Sequence, residues 1–367
     1  MTNSVKPIIA IVGAGPAGLT AGVILHRGGH QVRIFESDYS STHRAQGGTL
    51  DLHEDKGQVA LQHAGLLASF RAIARHEDQM QRSIDSVSGR EMANPGRPDD
   101  NIDRPEIDRG ELRKLLLDAL PATAVQWGRQ LMTIESGIEH AHALLFTDGT
   151  RVEADVVIGA DGAWSRVRPF LTSVIPDYTG ITFFEGWIDE PTSEAAGLVG
   201  NGSLFAFGGA QAIIAQRNGQ GRLCVYAALR RSRDWLADRL SAGNAMSLIK
   251  AVYQNWAPNL RHLLDSCGEF TARPIYALPP DFAWEPHLGM TLIGDAAHLM
   301  PPVGLGVNLA MLDAADLANS LNGCNDWRNA VRNAELLISA RSRNLMRDAT
   351  AGFQQWLAQP HNTATDY

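Results

Sequence analysis

An apolar strand running straight into a glycine-rich turn constrains this chain more than any other feature. The sequence Ile8-Ile9-Ala10-Ile11-Val12 leads into Gly13-Ala14-Gly15-Pro16-Ala17-Gly18, a Gly-x-Gly-x-x-Gly turn. Branched and small apolar residues in such a run suit a parallel strand buried on both faces. Gly13, Gly15 and Gly18 let the backbone turn tightly and approach a pyrophosphate with no side chain between. Ala17 sits inside the turn, and residues 17–27 read as a helix whose N-terminus offers free N–H groups and the positive end of its dipole. Residues 31–36 form the next predicted strand. It ends at Glu36, 18 residues after the last glycine, close to where an acid meets a ribose hydroxyl. A lone glycine turn of this kind is often a chance loop; strand, helix, strand and terminal acid in succession are the context a dinucleotide demands. Glu36 would repel a 2′-phosphate, so NADP is disfavoured at this turn. NAD and FAD are not separated by it.

A chain of 367 residues suits two closely associated domains rather than one small core. Its net charge of −8 is spread without long like-charge runs. That argues against a nucleic-acid partner, since phosphate binding needs clustered basic residues. Cys224, Cys267 and Cys324 are far apart and form no Cys-x-x-Cys pair. Neither a zinc site nor a disulfide framework is expected, no metal is assigned, and a reducing cytoplasm fits. The first residues lack the charged-then-apolar plan of a secretory signal. No stretch reaches the roughly 18 apolar residues of a membrane span. The expectation is a cytoplasmic monomer.

Two further signatures lie downstream. The first, Asp155-Val156-Val157-Ile158-Gly159-Ala160-Asp161-Gly162, is followed by Ser165 and Arg168. Residues 152–158 read as one buried strand, with a tight turn at Asp161-Gly162; alone, such a turn is common. The second, Met290-Thr291-Leu292-Ile293-Gly294-Asp295-Ala296-Ala297-His298, is more specific. It places Gly294-Asp295 at the carboxyl end of a short strand, where α/β sheets bind ligands, and Asp295 suits polyol hydroxyls. Pro301-Pro302 break any helix begun at Ala296, Gly304-x-Gly306 reopens the chain, and residues 307–321 form an apolar helix. Its N-terminal dipole would stabilise negative charge on a reduced flavin ring. For His298, a packed structural role is commoner than that of a catalytic base. The three signatures together, in this order, point to FAD and oxygen chemistry.

With Arg44-x-x-Gly47-Gly48-Thr49-Leu50-Asp51-Leu52-His53, Arg104-Pro105-Glu106-Ile107-Asp108-Arg109-x-x-Leu112-Arg113 and the run Gly294 to Pro302, the chain resembles the class A FAD-dependent aromatic hydroxylases of the para-hydroxybenzoate hydroxylase type. Within that type it is most similar to the tetracycline-inactivating flavin monooxygenases. The resemblance implies that Arg44 and Arg109 hold FAD, with Gly48, Asp51 and Asp161 beside it, and that Asp295 holds the ribityl chain. It puts Pro302, Gly304, Gly306, Val307 and Asn308 against the isoalloxazine ring, with no acid–base residue needed for oxygen transfer. One departure stands out. The family carries Gly-Gln-Gly before the asparagine; this chain has Val303-Gly304-Leu305-Gly306, one residue shorter and without glutamine.

The implied architecture is α/β. A Rossmann-like FAD-binding domain spans 1–75, 104–170 and 278–322, a mostly antiparallel β-sheet substrate domain spans 76–103 and 171–277, and a C-terminal bridging helix spans 323–360. Alternation at residues 181–188 and 222–229 predicts strands of that sheet, and the tail helix is read over 327–358. Phe183, Glu185, Phe205, Cys224 and Tyr226 are the candidate substrate-binding residues, although aromatics at alternating positions are more often plain core. Glu185, Ser203 and Cys224 stand where the tetracycline-inactivating members have glutamine, arginine and histidine, and none matches. The implied function is an FAD-dependent monooxygenase. NAD(P)H as cosubstrate reduces the flavin, and O2 forms a flavin C4a-hydroperoxide that hydroxylates an aromatic or polycyclic small molecule, a tetracycline-like one included. The alternative, motivated by the shortened loop, is a flavin-carrying binding protein that sequesters a polycyclic ligand with little turnover.

Overall fold

The computed structural model describes residues 6–43, 47–93, 103–137 and 141–357. The chain divides into two compact units, one of residues 1–74, 109–177 and 276–349 and the other of residues 75–108, 178–275 and 350–367.

In the first unit, short β-branched runs form a parallel sheet. Its order is Met290–Leu292, Val156–Gly159, Ile9–Val12, Val32–Phe35 and Val125–Gln126. The central strand Ile9–Val12 is buried at every position, as a strand covered on both faces must be. The helix Pro16–Arg27 follows it, started by proline in its first turn, where a missing N–H costs nothing. The predicted strand 152–158 is in fact two. Arg151–Ala154 pairs antiparallel with His142–Phe146, and Val156–Gly159 pairs parallel with Ile9–Val12. Asp155 marks the break, its Oδ2 accepting from the Ile8 N–H at 2.8 Å. The run Val152-Glu153-Ala154-Asp155-Val156-Val157-Ile158 contains no glycine or proline to mark such a switch of sheets. The helix Gly306–Asn322 packs on Pro16–Arg27, and the long helix Trp327–Trp356 ends the described chain. Residues of that helix up to Ala349 belong to the first unit and those from Thr350 to the second. The remainder of the tail, from residue 358, lies outside the described residues.

The second unit is built on a seven-stranded sheet. Its order is Phe270–Ala277, Asp177–Ile188, Leu223–Arg230, Gln211–Arg217, Gly202–Gly208, Met80–Ile84 and Glu91–Met92. The central pairs are antiparallel, and Gly202–Gly208 with Met80–Ile84 is parallel. Strand alternation splits this sheet into two unlike faces. One carries Phe184, Ile188, Leu204, Ile213, Val225 and Leu229, which form the unit's core with residues such as Ile249, Tyr253 and Leu260 of the helical segment. Tyr253 is fully buried and donates toward the carbonyls of Ala212 and Ala228, each at 2.9 Å, which removes the penalty for burying its hydroxyl. The opposite face carries Phe183, Glu185, Trp187, Cys224, Tyr226, Phe205 and Gln216. Among the described residues, no helix is long and apolar enough to cross a membrane.

Candidate cofactor and substrate site

The glycine turn is packed directly against the two later signatures. Gly13 has φ of +106°, and a Cβ placed on it would lie 2.4 Å from the Ala160 carbonyl oxygen. One on Gly18 would lie 2.0 Å from the Gly13 carbonyl oxygen and 3.2 Å from Ala160 Cβ. Backbone packing therefore demands both glycines. Gly15 differs, because no atom of the protein comes within 4 Å of its Cβ position. It precedes the helix Pro16–Arg27 with no side-chain cap, and no acid stands in that helix's first turn. The open side of the turn thus presents bare backbone and the unpaired N–H groups of a helix start, which suit a phosphate.

Glu36 is buried at the end of the Val32–Phe35 strand. Its Oε2 accepts from Ala14 N–H at 2.7 Å, and its Oε1 accepts from Asp38 N–H and Ser37 Oγ, each at 3.0 Å. The carboxylate braces the turn and still has lone-pair capacity for a ribose hydroxyl. Sequence reasoning gave no role to Arg113, yet its guanidinium bonds directly to this turn. Arg113 is 4% exposed; its Nε donates to Ala14 O at 3.2 Å, and its Nη2 reaches Asp38 Oδ2 at 3.5 Å. The clue was its place on the helix Arg109–Asp118 beside the buried Leu112. Arg109 is exposed, with its N–H directed at Gly48 O at 3.4 Å, so Gly48 and Arg109 do come together. Arg44 lies outside the described residues.

Asp161 serves its own turn first. Its Oδ2 accepts from the N–H groups of Arg166 at 2.7 Å and Val167 at 3.3 Å, while Oδ1 is buried with no hydrogen-bond partner in the protein. Burial pushes its carboxyl above the ordinary range, against the opposing bonds from Ser165, Arg166 and Val167. Arg168, also unassigned from sequence, donates to Ala163 O at 2.6 Å and Ala296 O at 3.1 Å, tying the Asp161 turn to the Asp295 turn. A Cβ on Gly294 would lie 3.2 Å from Ala17 Cβ, so the Asp295 turn in its turn abuts the glycine-turn helix. Asp295 is exposed, and its Oδ1 lies 4.0 Å from a Cβ placed on Gly306. The three signatures meet around one backbone cradle. Bare backbone at Gly15, a buried carboxylate oxygen awaiting a donor and an exposed acid beyond it match the phosphates and polyol of a dinucleotide, so the residues present fit FAD.

The loop at 302–308 is fastened mainly by Asn308. This fully buried amide accepts from His53 N–H at 2.8 Å and Gly57 N–H at 3.2 Å, and donates to Asp51 O at 2.8 Å and Gly304 O at 3.3 Å. Its side chain is thus committed to holding two loops together, and only its backbone in the helix's first turn is left for a ligand. Asp51 lies close by, its carboxylate 3.2 Å from His53 Nε2 and 3.8 Å from a Cβ placed on Gly304. Pro302 is exposed, and Gly306 and Val307 open the helix Gly306–Asn322 half-buried.

His298 is buried beneath the Asp295 turn and bonds through Nε2 to Asp313 Oδ2. Asp313 also accepts from Gly294 N–H at 3.3 Å and, through Oδ1, from Arg341 Nη2 at 2.7 Å. Burial disfavours the imidazolium, but Asp313 outweighs it and holds His298 above the usual histidine range. Burial likewise opposes the Asp313 carboxylate, and His298 and Arg341 together hold it below the usual range. The structural role expected for His298 is the one its contacts show.

The five substrate candidates share the sheet face away from the helical core. Glu185 stands opposite Tyr226, Tyr226 opposite Ile214 and Ile214 opposite Phe205, while Phe183 stands opposite Ala228 and Cys224 opposite Trp187. The Phe183 and Tyr226 rings lie 5.8 Å apart, and Phe353 covers Phe183 at 6.2 Å. Glu185 Oε1 accepts from Trp187 Nε1 at 3.2 Å, and Arg273 Nε lies 3.5 Å from Oε2. Cys224 is fully buried, and burial pushes its thiol up to about 12, so it is a packed apolar group rather than a nucleophile. Trp187 and Arg273 are members of this face that sequence reasoning missed.

Residues 7–190 and 289–326 match the family described as FAD binding domain. The monooxygenase penA of Penicillium thymicola is 30% identical over 88% of this chain and 86% of its own length. The 3-amino-4-hydroxybenzoate 2-monooxygenase of Streptomyces cremeus is 30% identical over 93% and 85%. Among solved structures, the tetracycline destructase Tet(51) superposes with a TM-score of 0.71 over 96% of this chain and 92% of its own; at 17% identity, that likeness shows the fold alone. Class A hydroxylases take NAD(P)H as cosubstrate. The cradle around Gly15, the family match and the relatives of the whole chain lead to one assignment: this chain belongs to the FAD-binding family of class A aromatic hydroxylases and is an FAD-dependent monooxygenase.

Proposed function

We propose that the enzyme uses NAD(P)H and O2 to insert one oxygen atom into an aromatic or polycyclic small molecule held on the sheet face of Phe183, Glu185, Phe205 and Tyr226. The single observation that carries the cofactor half is the meeting of the three signatures at the Gly13–Gly18 turn. The relatives' chemistry supports the other half. In this reading the first unit is the FAD-binding domain and the second the substrate domain. Bound FAD supplies electron transfer from NAD(P)H and activation of O2.

The chain's own residues do the rest. Backbone at Gly15 takes the pyrophosphate, Glu36 the adenosine ribose and Asp295 the ribityl hydroxyls, with Arg109, Gly48, Asp51 and Asp161 alongside. Pro302, Gly304, Gly306, Val307 and Asn308 line the ring, and the start of the Gly306–Asn322 helix directs its dipole there, which favours an anionic reduced ring. Asn308 fixes that loop against residues 51–57. The aromatic face orients the substrate and excludes water.

The test is a screen of phenols, heteroaromatics and tetracyclines for ligand-stimulated NAD(P)H oxidation, with products checked for the gain of one oxygen. Stimulated oxidation with an oxygenated product is expected. Ligand binding with no stimulation by any ligand and either nicotinamide would favour sequestration instead.

A further inference from the structure

We infer that the substrate is an uncharged aromatic carrying an N–H or O–H donor, which Glu185 accepts, rather than an aromatic carboxylate. The inference rests on the proposed placing of substrate on the Phe183–Glu185–Tyr226 face. Its ground is the charge state of that face. Among the described residues, alternation puts the arginines Arg230 and Arg273 on it, with Arg222 just before its strand, and each is committed. Arg230 donates to Leu357 O at 2.7 Å, Gln354 Oε1 at 2.6 Å and Gln354 O at 3.0 Å. Arg222 donates to Asp189 Oδ1 at 2.7 Å and lies 4.6 Å over the Trp187 ring. Arg273 lies beside Glu185.

A substrate carboxylate on this face would have to take Arg273 from Glu185. It would then stand next to a second carboxylate, and like charges brought together without a cation repel strongly at a partly desolvated site. A neutral donor meets no such obstacle. Glu185 is only partly used by Trp187 and Arg273, and an ionised carboxylate accepts at about four lone-pair positions. A bond from a neutral N–H or O–H to that carboxylate is charge-assisted and stronger than one between neutral groups. Tyr226 and Phe183 lie within reach of the same spot, as a ring bearing such a donor requires.

The test compares a hydroxynaphthamide with the matching hydroxynaphthoate, at a pH where the acid is ionised. Binding to the FAD-loaded enzyme is read from flavin absorbance changes, beside stimulated NAD(P)H oxidation. The amide is expected to bind at least about tenfold more tightly, and Glu185→Gln to shrink that ratio about tenfold, by weakening the charge-assisted bond and relieving the repulsion. Arg273→Met, which leaves the acid unpaired, is expected to widen it. Equal or tighter binding of the naphthoate, or a ratio that Glu185→Gln leaves unmoved, overturns the inference without touching the monooxygenase reading. Failure of both ligands to bind would overturn the placing of substrate on this face. The expected preference with no stimulated oxidation would sustain the inference and count against the proposed reaction instead.

Discussion

The glycine turn and the aromatic face of the large sheet encode their functions in opposite ways. At the turn, identity is dictated by backbone: an added Cβ on Gly13 or Gly18 meets a carbonyl oxygen at 2.4 or 2.0 Å. No other residue type fits there without moving the backbone. On the sheet face, alternation dictates only which way a side chain points. Glu185 and Tyr226 fit the pleat there, and so would many others. A cofactor is therefore legible from a motif, whereas a substrate must be worked out from charge and shape.

Substitutions that separate packing from binding sharpen the contrast, and the largest effect belongs to Gly18→Ala. Its Cβ would strike the Gly13 carbonyl, so the turn must deform. Loss of nearly all bound FAD is expected, with a clear drop in melting temperature of the apoprotein, measured by flavin release and thermal unfolding. Gly15→Ala should behave differently. With φ of −81° and no atom within 4 Å of the new methyl group, it leaves the apoprotein's stability within about 0.5 kcal/mol, the range of an unobtrusive surface change. FAD binding should nonetheless weaken by about tenfold or more, because the methyl group occupies the side from which a pyrophosphate approaches. If both variants weakened FAD only in proportion to lost stability, the open side of Gly15 would not be a phosphate cradle.

On the sheet, Phe205→Ala should raise the KM of an accepted substrate several-fold while leaving FAD affinity at the wild-type value. A smaller effect concerns pH. His298 is held above its ordinary range by Asp313, so its contribution is full below about pH 6.5, the unfolded value, and is lost as pH rises through the folded value. Asp313 has the opposite sign: its contribution is present above the unfolded carboxylate value and is lost as pH falls through the folded one. Melting temperature should therefore decline on both flanks, and His298→Gln should flatten the alkaline flank while the acid flank keeps the part that Arg341 supports. An unchanged alkaline slope in that variant would refute the account of the pair.

Much of the first unit is legible in its amino-acid sequence, because glycines, strand ends and acids there stand at positions that backbone geometry fixes. The interior wiring is not. Arg113 and Arg168 act on backbone carbonyls, and nothing in local sequence says where a long guanidinium will turn. Asn308 is expected near the flavin ring, yet its amide is spent on Gly304 and on His53, Gly57 and Asp51, partners 251 to 257 residues away. The strand break at Asp155 is hidden by apolar residues on both sides of it. In the second unit, alternation puts Phe183, Glu185, Phe205, Cys224 and Tyr226 on one face, but it does not reveal the pairing of Glu185 with Trp187 and Arg273. The bond from Trp187 is local, two residues along the same strand, whereas the pairing with Arg273 depends on register between strands far apart in sequence.

The most direct test titrates FAD into apoprotein of the wild type, Gly15→Ala and Phe205→Ala under one set of conditions, followed by quenching of flavin fluorescence. The account predicts one FAD per chain, wild-type affinity in Phe205→Ala and affinity about tenfold or more weaker in Gly15→Ala. Equal weakening in both variants, or none in Gly15→Ala, would contradict it.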